Sequence, residues 1–378
     1  MTFHERARML KALAQYLNER KEALYELSFM TGATRADSWI DIDGGIGTMF
    51  VFASKGRREM PDAHVYLDGD VEMLSRKGSF VGQHVCTPMQ GVALHINAFN
   101  FPVWGMLEKL APTLLAGMPA IIKPATATGY LAEAAFRMII DSGLLPTGAV
   151  QFVSGGVGPL LDHLDAQDAV SFTGSADTAM RLRSNMNLQQ HAVRFAAEQD
   201  SLNASVLGPD VGIDDPEFDL FIKEVTTEIT AKAGQKCTAV RRILVADAMK
   251  PAVIDALEAR LATITLGDPR RNDVAMGALA SAAQLRLRAV AAVAAIIAAR
   301  VGVAHHGQVL HGDAHDLERG LGRLLDGVDS FAERHEVGHL WVVLLPLERR
   351  HIVRLIHPVL VRHPVHVTGT ALVFGLLQ

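Results

Sequence analysis

The chain has 378 residues, more than one ordinary small domain holds, so two or three domains are expected. Hydrophobic residues make up 49% and charged residues 20% of the sequence, which excludes wholesale disorder, a collagen-like repeat and a coiled coil. The formal net charge of −5 gives no electrostatic reason to expect a nucleic-acid partner, and two cysteines are too few for a disulfide scaffold, which favours a reducing compartment.

The N-terminal segment predicts amphipathic helices and not a targeting signal. Apolar residues recur at helical spacing from Phe3 to Leu17, and a second apolar stripe runs from Leu24 to Gly32. The longest uncharged apolar run, residues 289–299, has 11 residues, whereas a helix that spans a bilayer needs about 20. We therefore expect a cytoplasmic protein that has no membrane partner.

From about residue 90, short apolar segments alternate with helical segments. This alternation predicts an α/β fold, a parallel sheet with helices on both faces. Ligands of such sheets bind beyond the carboxyl ends of the strands. The predicted strands cover residues 91–96, 120–123, 150–153 and 170–172, and the main predicted helices cover residues 104–116, 128–142 and 218–233.

Cys237 is the first candidate for chemistry. It follows Gly234 on a predicted loop, and Lys236, Arg241 and Arg242 are close in sequence. A nearby positive charge lowers the pKa of a thiol and increases the thiolate fraction, so this context is compatible with a nucleophile. The alternative is a small buried hydrophobic residue. Cys86, in an apolar run, is expected to be such a packing residue.

Three polar residues at predicted strand ends are further candidates. Glu198 ends an apolar, strand-like run and is either solvent-facing or a general base. Asn100, between Phe99 and Phe101, is either a turn former or an amide donor to an oxyanion. Lys123 ends a buried strand just before a proline and faces either solvent or an anionic ligand.

These residues belong to a pattern that resembles a known family. The motifs are, in chain order, Asn97-Ala98-Phe99-Asn100-Phe101-Pro102-Val103-Trp104, Ile122-Lys123-Pro124-Ala125, Ser171-Phe172-Thr173-Gly174-Ser175, Glu198-Gln199-Asp200-Ser201-Leu202-Asn203 and Gly234-Gln235-Lys236-Cys237-Thr238. In order and spacing they resemble the aldehyde dehydrogenase superfamily. The sequence around Glu198 and Cys237 is similar to that of the semialdehyde dehydrogenase half of the bifunctional phenylacetate-degradation enzymes. The resemblance covers residues 2–284.

The resemblance implies an aldehyde dehydrogenase-like fold with a Rossmann-like sheet, and NAD(P)-dependent oxidation of an aldehyde, with a CoA-linked semialdehyde of aromatic degradation as the candidate substrate. Cys237 would attack the carbonyl carbon and form a thiohemiacetal. The side-chain amide of Asn100 would stabilise the oxyanion. Glu198 would then activate the water that hydrolyses the thioester.

The same resemblance implies a nucleotide site. Lys123 matches the lysine at the adenosine ribose, and Thr173, Gly174 and Ser175 match the loop and helix start near the pyrophosphate and nicotinamide. Phe99 belongs to the same set of cofactor-binding residues. Thr126 stands where members that prefer NAD often carry a glutamate, which favours NADP over NAD.

The remaining sequence departs from the family pattern. No Glu-x-Phe-Gly-Pro stretch follows Cys237, and residues 286–378 contain no Lys, Asn, Tyr, Cys or Met but ten of the chain's 16 histidines. We expect a cofactor-binding domain at residues 1–205, a partial catalytic domain at 206–285 and a poorly ordered His/Arg-rich tail at 286–378. One hypothesis is that this tail derives from a shifted reading frame. Relatives are homo-oligomers, but the region through which they assemble is not recognisable here.

Two alternatives remain open on the sequence alone. One is a nucleotide-binding fragment without turnover. The other is a zinc hydrolase, because His335-Glu336-Val337-Gly338-His339 matches the pattern H-E-x-x-H. The position six residues after His339 is Leu345 and not a third histidine, so we expect no metal. The glycine runs at residues 44–47 and 155–158 resemble dinucleotide-binding loops without their full spacing.

Overall fold

The computed structural model describes residues 1–284 and a short strand at residues 372–373. Helices in this part of the chain are α1 (Phe3–Arg20), α2 (Glu22–Ser28), α3 (Arg35–Arg58), α4 (Pro102–Ala116), α5 (Gly129–Asp141), α6 (Ala176–Arg183), α7 (Met186–Gln190), α8 (Pro216–Thr230) and α9 (Lys250–Leu261). Strands are β1 (Tyr66–Met73), β2 (Val81–Cys86), β3 (Ala93–Ile96), β4 (Ala120–Lys123), β5 (Val150–Phe152), β6 (Ala169–Gly174), β7 (Arg194–Gln199), β8 (Ala204–Val206), β9 (Arg242–Leu244) and β10 (Leu372–Val373). None of the described helices is long and apolar enough to cross a membrane.

Two compact units make up the described chain. The first contains Met1–Asp200, Thr230–Cys237 and Thr263–Ser281, and the second contains Ser201–Ile229 and Thr238–Ala262. The boundaries predicted near residues 205 and 285 stay predictions. Apart from residues 372–373, the tail predicted at 286–378 lies outside the described residues.

The first unit is built on a five-stranded parallel sheet in the order β5-β4-β3-β6-β7. The chain proceeds outward from β3 through β4 to β5, and then returns to the other side of β3 for β6 and β7. Because crossovers between parallel strands are right-handed, this reversal places α4 and α5 on one face and α6 on the other. The predicted α/β fold is therefore confirmed, and its switch point lies between β3 and β6.

Separate apolar clusters cover the two faces of this sheet. One cluster joins Ile122 of β4 to Leu107 and Leu110 of α4 and to α1, α3 and α5. The other joins Ile96 of β3 and Phe172 of β6 to α6 and to the loops before β6. Strands buried on both faces need near-continuous apolar sequence, which is why these strands were recognisable in the chain.

Helix α3 contains the glycine run at residues 44–47, so this run, which resembles a dinucleotide-binding loop only in part, is helical. Gly45 is buried where α3 crosses the start of α4. A β-carbon at Gly45 would lie 2.9 Å from the Cα atom of Trp104, closer than such atoms approach. The glycine therefore permits the two helix backbones to pack in direct contact.

Substitution of this glycine should weaken the packing of α3 against α4. We expect Gly45→Ala to lower the free energy of unfolding by about 1–3 kcal/mol, because the added methyl group overpacks the helix crossing. Gly47 is the matched control on the same helix, since a β-carbon there meets no atom within 4 Å. Gly47→Ala should instead be neutral or stabilise by about 0.5–1 kcal/mol through helix propensity. Urea unfolding measures both, and equal effects would contradict this packing.

Cys86 is exposed at the end of β2, in the antiparallel hairpin that β1 and β2 form. The expectation that it is a buried packing residue is therefore wrong, because its apolar neighbours in sequence lie on an exposed two-stranded ribbon.

In the second unit, β8, β9 and β10 form a small sheet, and Phe218 and Ile222 of α8 pack in a core with Val253 and Leu257 of α9.

Candidate active site

The carboxyl ends of β3, β6 and β7 place three polar side chains in one row. Ile96 of β3 pairs with Phe172 of β6, so the next residues along, Asn97 and Thr173, are level with each other. Thr173 in turn pairs with Glu198 of β7. Residues at the same level of a parallel sheet point to the same face. The side chains of Asn97, Thr173 and Glu198 therefore share one face of the sheet at its carboxyl edge.

Asn100 lies on the loop between β3 and α4 and is buried. The Thr128 hydroxyl donates a hydrogen bond of 2.8 Å to the carbonyl of Phe99, which ties this loop to the segment after β4. Asp41 of α3 fixes the start of α4, because its Oδ1 atom accepts hydrogen bonds from the backbone N–H groups of Val103 at 3.1 Å and Trp104 at 2.8 Å. Asn100 thus immediately precedes a firmly held helix start.

Cys237 follows a tight turn, Ala231–Gly234, and is half-buried. Its thiol is hydrogen-bonded to Glu198, and its pKa is raised, first by burial and next by the negative charge of Glu198. The expectation that cationic neighbours lower this pKa is therefore wrong: the charged groups that act on the thiol are Glu198 and, more weakly, Glu108 of α4. A carboxylate in contact with the thiol can instead accept its proton.

The cysteine loop also lies beside the Asn100 loop. The Nζ atom of Lys232 is 5.8 Å from the centre of the Phe101 ring, within the range of a cation–π interaction. Phe101 directly follows Asn100. Of the three residues predicted to be catalytic, Cys237 and Glu198 are thus in contact, and the Asn100 loop is adjacent to the loop that carries Cys237.

The residues predicted to bind a nucleotide surround the switch point of the sheet. Lys123 ends β4, and burial lowers the pKa of its amine. Thr126 is exposed in a short helical turn just after β4, and Phe99 is partly buried between β3 and α4. Thr173 and Gly174 end β6, and Ser175 caps α6 by accepting a hydrogen bond from the N–H of Thr178.

Two orphaned polar groups show that this edge of the sheet is suited to a polar ligand. Both amide atoms of Asn97 are buried without a partner, and so is the Thr173 hydroxyl. Buried polar groups are normally hydrogen-bonded, and ligands of open parallel sheets bind at the switch point where these two residues lie. The N–H of Ala176, at the start of α6, already donates to Asp200 at 3.1 Å. The residues present therefore fit a dinucleotide, with one amide of α6 already engaged.

A metal centre is not found among the described residues, where no group of three His, Cys, Asp or Glu side chains could hold an ion. The zinc-binding motif considered in the sequence, from His335 to His339, lies outside the described residues and stays untested.

Sequence reasoning missed three residues of this region: Lys232, Asp41 and Asn97. Lys232 carries a signal, since it is a lysine among small residues just before the Gly-Gln-Lys-Cys motif. Asn97 was quoted as part of a motif without a role. Asp41 gives no local signal, because its importance depends on where α3 meets α4.

A parallel sheet with its switch point between β3 and β6, helices on both faces and polar groups at the carboxyl edge defines an α/β protein of the nucleotide-binding class. The chain belongs to the aldehyde dehydrogenase family, whose family model matches residues 1–320. The recognition made from the five motifs is therefore confirmed.

Relatives and solved structures agree with this assignment. A 3,4-dehydroadipyl-CoA semialdehyde dehydrogenase from Aromatoleum evansii is 45% identical over 285 residues, which are 75% of this chain and 55% of that protein. An alpha-ketoglutaric semialdehyde dehydrogenase from Bacillus subtilis is 29% identical, over 75% of this chain and 56% of that protein. A betaine aldehyde dehydrogenase from Staphylococcus aureus, solved in complex with NAD+, is 25% identical with a TM-score of 0.65, over 78% of this chain and 56% of that one. The chain spans about half the length of these relatives.

Proposed function

We propose that this chain carries the machinery for NAD(P)-dependent oxidation of an aldehyde to the acid, with Cys237 as the nucleophile. The observation that carries this proposal is the hydrogen bond between the Cys237 thiol and Glu198 at the carboxyl edge of the sheet, next to the switch point. A nucleophile in contact with its base, beside a nucleotide site, is the arrangement that covalent aldehyde oxidation requires.

Glu198, Cys237 and Asn100 each have a separate role in the proposed reaction. Glu198 accepts the thiol proton, and the sulfur of Cys237 bonds to the carbonyl carbon, which gives a thiohemiacetal. The amide of Asn100 and the backbone N–H of Cys237 donate hydrogen bonds to its oxyanion. NAD(P) held beside the switch point would supply the hydride acceptor for oxidation of the thiohemiacetal to a thioester. Glu198 first releases the thiol proton to solvent and then takes a proton from water, whose oxygen bonds to the acyl carbon as the carbon–sulfur bond breaks; this second proton returns to the Cys237 sulfur as the acid leaves.

Lys123, Thr126, Phe99, Thr173, Gly174 and Ser175 would hold the nucleotide. We favour NADP over NAD because Thr126 is neutral, exposed and close to Lys123 in sequence, so no side-chain charge at this position repels a 2′-phosphate. Support for a dinucleotide at this edge comes from the orphaned Thr173 hydroxyl and from the family relative crystallised with NAD+.

The substrate we propose is a CoA-linked semialdehyde from aromatic degradation. This rests on the relative that is 45% identical and named as a 3,4-dehydroadipyl-CoA semialdehyde dehydrogenase. The cytoplasmic location and the absence of nucleic-acid and membrane partners stay predictions from the sequence. The homo-oligomeric state is a property of the family and is not assigned to this chain, in which the assembly region is not recognisable.

Nucleotide preference tests this proposal. We expect the purified chain to reduce NADP with a medium-chain aldehyde and with a CoA-linked semialdehyde, at a higher kcat/KM for NADP than for NAD. Thr126→Glu should lower kcat/KM for NADP by about tenfold or more, through repulsion of the 2′-phosphate, and affect NAD much less. Ala127→Glu, which adds the same charge at the exposed neighbouring position, is the control. NADP binding without reduction would instead favour a nucleotide-binding fragment.

A further inference from the structure

The backbone just before the cysteine loop has an unusual conformation. Lys232 and Ala233 have φ values of 55° and 53°, in the left-handed region, and Gly234 follows with a φ of 65°. Residues other than glycine adopt this region only at an energetic cost, and they remain there only where their surroundings hold them. The contacts around Lys232 therefore decide where the following residues, up to Cys237, are placed.

Hydrogen bonds hold the backbone of Lys232 on both sides. Its N–H donates to Oδ1 of Asp37, on α3, at 2.6 Å. Its carbonyl accepts from the backbone N–H of Gln235 at 3.0 Å and from the Gln235 side chain at 3.1 Å. The side-chain oxygen of Gln235 in turn accepts from the N–H of Ala280 at 3.0 Å. The loop is thus attached to α3 at one end and to a later segment of the same unit at the other.

The side chain of Lys232 is 3% exposed, and its amine has few partners. Nζ donates to the hydroxyl of Thr31 at 3.3 Å and faces the Phe101 ring. Asp41 and Asp37 are the charges that act on it, and they oppose the effect of burial, which lowers the pKa of Lys232. A buried ammonium without an anionic neighbour would be strongly unfavourable.

Asp41 is the complementary charge. It is fully buried, and its Oδ1 holds the start of α4 while its Oδ2 has no hydrogen-bond partner. Burial raises the pKa of this carboxyl to about 6, and the positive charge of Lys232 is the largest influence in the opposite direction. One carboxylate therefore accepts hydrogen bonds from the start of the helix that follows Asn100 and acts through its charge on the lysine that begins the cysteine loop.

We propose that Lys232 and Asp41 are positioning residues that hold the Cys237 loop against the start of α4, and so set the nucleophile relative to Asn100. This inference rests on the proposed function for its catalytic meaning, but the placement of the loop can be tested without turnover. Removal of one member leaves the other charge buried without its opposite, whereas removal of both leaves neither, and Asp37 keeps its hydrogen bonds from the N–H groups of Thr34 and Lys232 in every variant.

Two conservative substitutions separate these cases. Lys232→Met keeps the length of the side chain and removes its charge. Asp41→Asn keeps an Oδ1 acceptor for the N–H groups of Val103 and Trp104. The double variant combines them, and Lys21→Met is the matched control, because it breaks the ion pair with Asp43 on the same helix, α3. Circular dichroism establishes that each variant is folded.

The readout is the rate at which iodoacetamide alkylates Cys237, measured by peptide mass spectrometry relative to alkylation of the exposed Cys86 in the same sample. We expect each single substitution to increase this ratio by about tenfold or more, because a released loop exposes the half-buried thiol. The alkylation ratio of the double variant should stay within about threefold of the wild-type ratio. The ratio of Lys21→Met should equal that of the wild type. An unchanged or lower ratio in the folded single variants, or a double variant as reactive as the single ones, would overturn the proposal.

Activity supplies an independent readout. In an active wild type, kcat should fall about 10²-fold in each single variant, because a small displacement of a nucleophile is sufficient for such a loss. KM for NADP should change little, and the double variant should recover most of kcat. If the wild type oxidises no aldehyde, the proposed function fails, and the alkylation series still decides whether Lys232 and Asp41 hold the loop.

Discussion

Replacement of Cys237 by serine is expected to reduce aldehyde oxidation by at least about 10³-fold. A serine hydroxyl is a far weaker nucleophile than a thiolate at neutral pH, and no other cysteine among the described residues lies at the carboxyl edge of the sheet. The measurement is the initial rate of NADPH formation. The binding of NADP, followed by fluorescence, should be unchanged, since the thiol takes no part in holding the nucleotide.

Cys86→Ser is the matched control for this experiment. It makes the same chemical change at an exposed position on the β1–β2 hairpin, and it should leave the rate at the wild-type value. Equal losses in the two variants, or an active Cys237→Ser variant, would contradict the assignment of the nucleophile.

Replacement of Glu198 by glutamine should stop the reaction after thioester formation, before the thioester is hydrolysed. We expect one equivalent of NADPH per active site to form in a burst, followed by a steady state that is about 10²–10⁴-fold slower, because no carboxylate remains to activate water for the thioester. Glutamine cannot accept the thiol proton, but it also removes the negative charge that raises the pKa of Cys237, so the thiol can lose its proton to solvent more readily and the burst should persist at a reduced rate.

The Glu108→Gln variant tests whether the effect of Glu198→Gln comes from loss of a general base or only from loss of a negative charge near Cys237. Glu108 acts on the Cys237 thiol through its charge alone, whereas Glu198 also shares a hydrogen bond with it. The Glu108 variant should therefore keep its steady-state rate within a few-fold of the wild type. A burst followed by stalling in this variant, or full turnover by Glu198→Gln, would contradict the role of Glu198.

The central sheet was predictable because its strands are short apolar runs between clear helical segments. The strand at β4 was predicted at residues 120–123 and has these bounds, since both faces of a central strand are buried. Helix α3 was not predicted, because its interior glycines resemble a loop until the partner helix α4 is known. The close packing of α3 and α4 at Gly45 is a tertiary contact, and a local sequence pattern cannot predict it.

The positions of the loops that form the candidate site could be predicted from the topology of the sheet. The electrostatic environment of the site residues could not, because it depends on tertiary contacts. The carboxyl-edge rule was sufficient to select the loops that carry Asn100 and the Thr173 motif. The charge beside Cys237 was misjudged, because Arg241 and Arg242 are close in sequence while Glu198, from β7, is close in space. The buried pair of Lys232 and Asp41 was missed for the same reason, since α3 and the cysteine loop are far apart in the chain.

The most direct measurement of the central claim is the covalent state of the nucleophile. The Glu198→Gln variant is mixed with NADP and a medium-chain aldehyde, quenched in acid after the burst, digested and examined by peptide mass spectrometry. The account predicts an acyl group in thioester linkage on Cys237, in near-stoichiometric amount, and absent when NADP is omitted. An unmodified Cys237 in the presence of NADPH formation, or an acyl group on another residue, would contradict it.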